Sequence, residues 1–185
     1  MKQSTLILLI ASTFLFTMIG CKAMVKRTKE DSPETRFSYT LEEEPEASFQ
    51  VYYNRPSKRG RVIFGDLVPY NEVWRTGANE PTTFETDEDL NIAEQTLPEG
   101  KYTLWTIPGP AQWTVIFNSE MYRWGIKLNG EPAREQQYDV VTVQVPVNRL
   151  TEPVEMFTID LRGRDAVELV LSWDRTQVVV PMFVQ

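Results

Sequence analysis

After Ser48 the chain consists largely of short runs in which apolar and polar residues alternate, and this alternation limits the possible fold more than any other feature. Val141, Val143 and Val145, for example, are separated by Thr142 and Gln144. Residues two apart share one face of a β-strand, so each run predicts a strand with one buried face. The eight strands predicted in this way span residues 48–53, 82–86, 101–107, 113–118, 139–145, 154–161, 166–173 and 177–182.

Turn-forming residues separate these runs, and no helical period of convincing length competes with them. Pro98 and Gly100 precede the third run, and Asn129-Gly130 lies in a later gap. Phe37, Tyr39 and Leu41 alternate as a ninth, half-buried strand would. Eight or nine short antiparallel strands predict an all-β antiparallel β-sandwich, with a jelly roll the favoured variant.

The first residues of the chain have the composition of a lipoprotein signal peptide. Lys2 precedes an apolar run, which ends in the box Met18-Ile19-Gly20-Cys21. The run is shorter than the roughly 20 apolar residues that a bilayer span needs. We therefore predict a signal peptide at 1–20, a lipidated Cys21 followed by a polar tether to residue 47, and one domain at 48–185. An uncleaved anchor, or ordinary cleavage that leaves Cys21 free, is the alternative.

This leader also predicts where the protein is located. An acylated Cys21 makes membrane lipid a partner and places the exported chain in the cell envelope. Lys22 is not an acidic retention signal of the inner membrane, so we expect the outer membrane. The sequence leaves the leaflet open.

Composition excludes several kinds of chemistry. The chain has no histidine and one cysteine, which excludes Ser-His-Asp triads, Cys-His nucleophiles and an internal disulfide. Its net charge of −7 disfavours nucleic acid as a partner. We predict no cofactor and no metal site.

The stretch 54–84 interrupts the strand pattern for longer than a simple hairpin requires, and loops of this length often carry sites. It contains a series of specific motifs: RP at 55–56, GR at 60–61, IFG at 63–65, LVPY at 67–70 and VWRTGANE at 73–80. Two further motifs follow it in the chain, LPEGKYTL at 97–104 and WTVIFN at 113–118. These motifs resemble the domain-of-unknown-function 2911 family over about residues 33 to 182. The resemblance implies a secreted or lipid-anchored bacterial β-domain without established activity, so no catalytic residues carry over. Asn71 and Pro81 depart from its usual pattern.

Four cations in this stretch form the first candidate site: Arg55, Lys58, Arg59 and Arg61. Guanidinium groups bind phosphate, sulfate or a sugar carboxylate through paired hydrogen bonds. Arg55 and Arg61 match the family pattern and are therefore the preferred pair. The alternative is a solvated charged turn.

The second candidate is the loop Trp74 to Glu80, with Arg75, Thr76 and Asn79 between them. An exposed indole flanked by such polar groups is typical of carbohydrate sites, because sugar rings stack on aromatic faces.

The same loop also suits a purely structural role. Trp74 would then pack across the sandwich, Arg75 would pair with Glu80 or Asp66, and Asn79 would satisfy loop amides. In either case we expect Gly77 to supply a positive φ.

The third candidate is the carboxylate pair Asp66 and Glu80, because glycoside hydrolysis needs two carboxyl groups. In a chain with 26 acidic residues such pairs also arise by chance.

These observations favour a non-catalytic envelope lipoprotein that binds a ligand or partner, either a glycan or an anionic small molecule. A carboxylate-dependent saccharide hydrolase is the first alternative. The second is a structural interaction module with a partner at an exposed strand edge.

Overall fold

The computed structural model describes residues 32–41 and 47–185, which form two antiparallel β-sheets. The predicted signal peptide and Cys21 lie outside the described residues. The strands are β1 (Glu34–Thr40), β2 (Ser48–Asn54), β3 (Thr82–Thr86), β4 (Leu90–Ile92), β5 (Gln95–Leu97), β6 (Gly100–Pro108), β7 (Gln112–Asn118), β8 (Asp139–Pro146), β9 (Asn148–Arg162) and β10 (Val167–Val184).

The larger sheet has six strands in the order β1-β2-β3-β6-β7-β8, and the smaller has four in the order β5-β4-β10-β9. The chain therefore crosses between the sheets after β3, after β5 and after β8. One three-residue 3-10 turn, Gln136–Tyr138, precedes β8. The prediction of an all-β antiparallel sandwich is confirmed, with more strands than the eight or nine expected.

Alternating side chains build the core between the sheets. On β8, Val141, Val143 and Val145 are buried, whereas Thr142 and Gln144 are exposed. Aromatic rings fill one end of the core, where neighbouring ring centroids lie 4.8–6.2 Å apart. We call this group the aromatic cluster: Phe64, Trp74, Trp113, Phe157 and Trp173.

Four strands differ from the prediction. β1 lies inside the stretch assigned to the tether, and it pairs with β2 along its whole length, so the sheet begins before residue 48. β4 and β5 were not predicted. The two predicted strands at 166–173 and 177–182 are one long strand, β10, which has register shifts around Asp174, a residue at φ 51°.

Two long connections hold the features that bear on function. Loop 55–81 connects the end of β2 to the start of β3, and both of these lie at the same end of the sandwich. β1 also begins at this end, because Glu34 pairs with Asn54, the last residue of β2. Loop 119–138 joins β7 to β8. In the part of the chain that the structure describes, no helix has the length and apolar character to cross a membrane.

Candidate functional site

A cavity of about 190 Å³ opens where loop 55–81 covers the end of the sandwich. We call it the arginine cavity, because its charged lining residues are Arg59, Arg61 and Arg75. Trp74 and Trp173 of the aromatic cluster also line it. The described residues that line the cavity include no carboxylate, although the chain as a whole carries a net charge of −7.

The first part of loop 55–81 is fixed to β9 by backbone hydrogen bonds. Lys58 N donates to Glu155 O (2.7 Å), and Phe157 N donates to Pro56 O (2.9 Å). The Arg59 amide adds a bond to a Glu155 carboxylate oxygen (2.8 Å). This short pairing holds the cationic residues at a defined place between the two sheets.

Carbonyl groups of the same loop orient the Arg61 side chain. Its Nε donates to Lys58 O (2.9 Å), and its Nη2 donates to Ser57 O. Carbonyl acceptors fix a guanidinium without cancelling its formal charge. The Arg61 side chain is therefore held in a defined orientation in the cavity wall.

Arg55 and Lys58 have a different role from the one predicted for the cluster. Arg55 donates from Nε to Phe157 O (3.3 Å) and from Nη2 to Thr158 Oγ1 (2.9 Å). Lys58 forms an ion pair with Asp174, at 3.0 Å from Nζ to Oδ2. Neither residue lines the cavity. The four cations are thus divided into two that tie the loop to β9 and β10 and two that line the cavity.

Trp74 is a core residue, with 9% of its surface exposed. Its ring stacks on Trp173 at 6.0 Å and meets Phe157 edge-on at 4.9 Å, and its indole N–H donates to Gly77 O (3.0 Å). Trp74 therefore packs across the sandwich, as expected for the structural role of this loop. The ring is not an open platform on which a sugar could stack.

Arg75 is partly buried, and the residues that the structure describes supply no counter-charge to it. Its aliphatic chain lies against Gly125 of loop 119–138, and its Nε is buried without a hydrogen-bond partner. Burial lowers the pKa of its guanidinium. Among the described residues it makes no ion pair, so the expected pairing with Glu80 or Asp66 is not present.

The remaining polar residues of the second candidate make buried and partly buried hydrogen bonds. Asn54 donates from Nδ2 to Glu80 Oε2 (3.2 Å) and accepts from Asn79 Nδ2 (3.3 Å). Thr76 is buried and shares a hydrogen bond with Thr106 Oγ1 (3.2 Å). These contacts connect the loop to β2 and β6, and of this group only Asn79 lines the arginine cavity.

The prediction that Gly77 supplies a positive φ is wrong. Gly77 does not have a positive φ; its neighbours Thr76 and Asn79 do, at 55° and 59°. A Cβ at position 77 would lie 3.0 Å from Asn54 O and 3.2 Å from Thr82 Oγ1. Glycine is needed here because the loop backbone passes close to β2.

The two carboxylates of the hydrolase hypothesis lie outside the arginine cavity. Asp66 is exposed, Glu80 is partly buried with Asn54 as a partner, and neither lines the cavity. Within residues 32–41 and 47–185, no cluster of three or more Cys, Asp or Glu side chains is arranged to hold a metal ion.

Sequence reasoning gave no role to Ser57 and Trp173, and it ranked Arg59 below Arg55. All three line the cavity. The density of cations was the available signal for Arg59. Trp173 comes from β10, almost a hundred positions after the loop, and no local pattern could connect it to the site.

Comparison with known proteins identifies the family of the chain. No curated protein and no solved structure matches it. A family model, described as a protein of unknown function (DUF2911), matches residues 32–182. The matched range includes both sheets, loop 55–81 and nearly all of β10. The chain therefore belongs to the DUF2911 family of proteins of unknown function.

Proposed function

We propose that this protein is a lipid-anchored component of the cell envelope whose domain binds a small anionic ligand in the arginine cavity without transforming it. The observation that carries the proposal is the lining of the cavity, in which Arg59, Arg61 and Arg75 lie together with the polar side chains of Ser57 and Asn79. Charge-assisted hydrogen bonds from guanidinium groups are the strongest available to a phosphate, sulfate or carboxylate.

The remaining lining residues support a ligand with a polar body. Ser57 and Asn79 supply a hydroxyl and an amide, whereas Leu67, Val68 and Trp173 supply apolar contact. Pockets for drug-sized ligands measure roughly 300–1,000 Å³. A cavity of about 190 Å³ is smaller than these, which favours an inorganic anion or a single sugar acid over an oligosaccharide.

The location rests on the sequence. The leader and the box at Cys21 support export and acylation, and Lys22 favours the outer membrane. The first strand begins at Glu34, so only a short segment of chain separates it from Cys21.

A saccharide hydrolase has less support. Its two candidate carboxylates, Asp66 and Glu80, do not line the cavity, and Glu80 is engaged by Asn54. A structural interaction module would use an exposed strand edge such as β1. Neither alternative accounts for three arginines, Arg59, Arg61 and Arg75, that line one cavity.

A thermal-shift titration of the purified mature chain tests the proposal. The probes are inorganic phosphate, sulfate and glucuronate, with glucose as the neutral match for glucuronate. A ligand at a hundred times its dissociation constant adds about 2.7 kcal/mol of stability. For a domain of this size that corresponds to a rise in Tm of several degrees. We expect at least one anion to raise the Tm and glucose to leave it unchanged.

Two variants make the result specific to the cavity. Arg61→Gln keeps a polar side chain but removes the charge, and should reduce the shift strongly. Arg162→Gln removes an arginine that pairs with Glu168 on the surface, and should leave the shift intact. Equal responses of the two variants, or no shift with any anion, would reject the arginine cavity as a binding site.

A further inference from the structure

Loop 119–138 exposes an unusual number of large apolar side chains. Seven such side chains are exposed in the described residues, and four of them belong to this loop: Met121, Trp124, Leu128 and Tyr138. Leu128 is fully exposed, and Trp124 exposes 47% of its surface. A concentration of large exposed apolar side chains on one loop is a feature of interaction sites.

The tip of the loop is an ordered hairpin. Lys127 N donates to Glu131 O (2.7 Å), Ala133 N donates to Gly125 O (3.0 Å), and Ile126 pairs with Pro132. We call residues 125–133 the tip hairpin. Leu128 is at its turn, so the exposed leucine is held out from the domain by regular backbone pairing.

The base of the loop is fixed to the large sheet. The buried Asn118 donates from Nδ2 to Glu135 O (2.9 Å) and to Asp139 Oδ1 (2.8 Å). Tyr122 packs edge-on against Trp105, with ring centroids 5.5 Å apart. The loop therefore presents its apolar side chains from a rigid support.

Cations alternate with the apolar side chains. Arg123 precedes Trp124 and Lys127 precedes Leu128, and both cations are exposed. Residues 121–130 contain no acidic residue. The one acidic residue of the tip hairpin, the exposed Glu131, accepts a hydrogen bond from Asn129 Nδ2 (2.9 Å) on its returning arm. An indole and aliphatic side chains with adjacent cations are the combination that favours the interface of an anionic bilayer.

The position of the loop places it beside the entry of the tether. Ser32, the first described residue, lines the arginine cavity, and so does Arg75. The side chain of Arg75 touches Gly125 at the start of the tip hairpin. Fully extended, the chain from Cys21 to Ser32 spans at most about 40 Å. An acylated Cys21 would thus keep this side of the domain close to the bilayer.

From these observations we propose that the tip hairpin and Trp124 insert into the interfacial region of an anionic lipid bilayer and orient the domain on the membrane. Leu128 and Trp124 enter the interface, and Arg123 and Lys127 contact lipid phosphates. The inference uses the lipid anchor of the proposed function only for proximity; the ligand of the arginine cavity plays no part in it.

The test places an environment-sensitive nitrobenzoxadiazole label at position 128 of the full mature chain, through Leu128→Cys. Acylation occupies Cys21, the one native cysteine, so the label is specific. The matched control is Phe183→Cys near the end of β10, where the native side chain is 50% exposed. Both proteins are reconstituted with vesicles of phosphatidylcholine containing one quarter phosphatidylglycerol, and with phosphatidylcholine alone.

We expect the label at position 128 to shift its emission to the blue and to be quenched by spin-labelled lipid in the anionic vesicles. The label at position 183 should remain water-like. Arg123→Glu with Lys127→Glu should reverse the shift at position 128. A water-like label at position 128 on vesicle-bound protein, or equal shifts at 128 and 183, would overturn the inference.

Flotation of the same vesicles shows whether the chain is bound to them. It therefore distinguishes a failure of the proposed lipid anchor from a failure of hairpin insertion. If the chain does not float with them, the anchor is rejected. The hairpin is then tested with the Cys21→Ser chain at high lipid concentration. There, a blue shift at position 128 in the anionic vesicles supports the inference, and its absence rejects it.

Discussion

The aliphatic chain of Arg75 occupies the space in which any side chain at Gly125 would lie. A Cβ built at position 125 would be 2.3 Å from Arg75 Cδ and 2.8 Å from Arg75 Cβ. The contact joins loop 55–81, which lines the arginine cavity, to loop 119–138, which carries the tip hairpin. It is therefore the point at which the two candidate surfaces meet.

Gly125→Ala should lower the free energy of unfolding by about 1–3 kcal/mol, the usual cost of forcing an extra carbon into a packed site. Gly125 does not have a positive φ, so the cost comes from the clash alone. Urea denaturation measures it. In the Arg75→Ala background the same substitution should cost clearly less, and an equal cost in both backgrounds would show that Arg75 is not the obstacle.

Arg75→Met should stabilise the protein by about 1 kcal/mol or more. Methionine keeps most of the packing against Gly125 and removes a guanidinium whose Nε is buried without a hydrogen-bond partner among the described residues. Thermal and urea unfolding both report the gain. The control is Arg149→Met, because Arg149 is hydrogen-bonded to Thr176 and Pro110, and it should show no gain. A loss of stability in Arg75→Met would mean that the guanidinium has a stabilising partner.

Asn54→Ala should destabilise the domain by about 2–3 kcal/mol, since it leaves the partly buried Glu80 and Asn79 without their shared partner. The midpoint of urea unfolding should fall with little change in slope. Asn148→Ala, at an exposed position at the start of β9, should change the stability by less than about 0.5 kcal/mol. Equal effects of the two substitutions would contradict the network around Asn54.

Alkaline pH should destabilise the fold through its tyrosines. Burial, followed by a hydrogen bond to Glu34, raises the pKa of Tyr52 to about 12. Burial also raises the pKa of Tyr53 and of Tyr102. In the unfolded chain a tyrosine titrates near pH 10. The folded state therefore retains protons that the unfolded state loses, and stability should fall as the pH rises from about 10 to 12.

The pH dependence of urea unfolding checks this prediction. Below pH 10 the tyrosines should contribute no slope. Above it, Tyr52→Phe should lose stability less steeply than the wild type, because phenylalanine does not titrate. Parallel curves for the two proteins would show that Tyr52 has the same pKa in the folded and unfolded states.

Much of the sandwich could be predicted because half-buried strands have a period of two in the sequence. β8 shows why: three of its four valines, Val141, Val143 and Val145, face the core, whereas Thr142 and Gln144 face solvent. The hairpin of β4 and β5 was not predicted, because its two-residue turn consists of Ala93 and Glu94, at φ 50° and 66°. Such turns usually contain Asn or Gly, so no turn signal was present.

The candidate site was less predictable because it depends on which partner each side chain meets. Arg55 and Arg61 look equivalent in the sequence, yet the first is bonded to β9 and the second lines the cavity. The burial of Trp74 depends on Phe157 and Trp173, which lie far away in the chain. The sequence pattern pointed to loop 55–81, but long-range contacts decide the role of each residue in it.

The most direct test of anion binding in the arginine cavity is a titration followed by the indole N–H signals of the five tryptophans in ¹⁵N-resolved NMR spectra. Trp74 and Trp173 line the cavity, whereas Trp105 and Trp124 do not. We predict that saturating phosphate, sulfate or glucuronate moves the signals of Trp74 and Trp173, leaves those of Trp105 and Trp124 in place, and has no effect in Arg61→Gln. Unmoved signals at Trp74 and Trp173 with all three anions would contradict binding in the cavity.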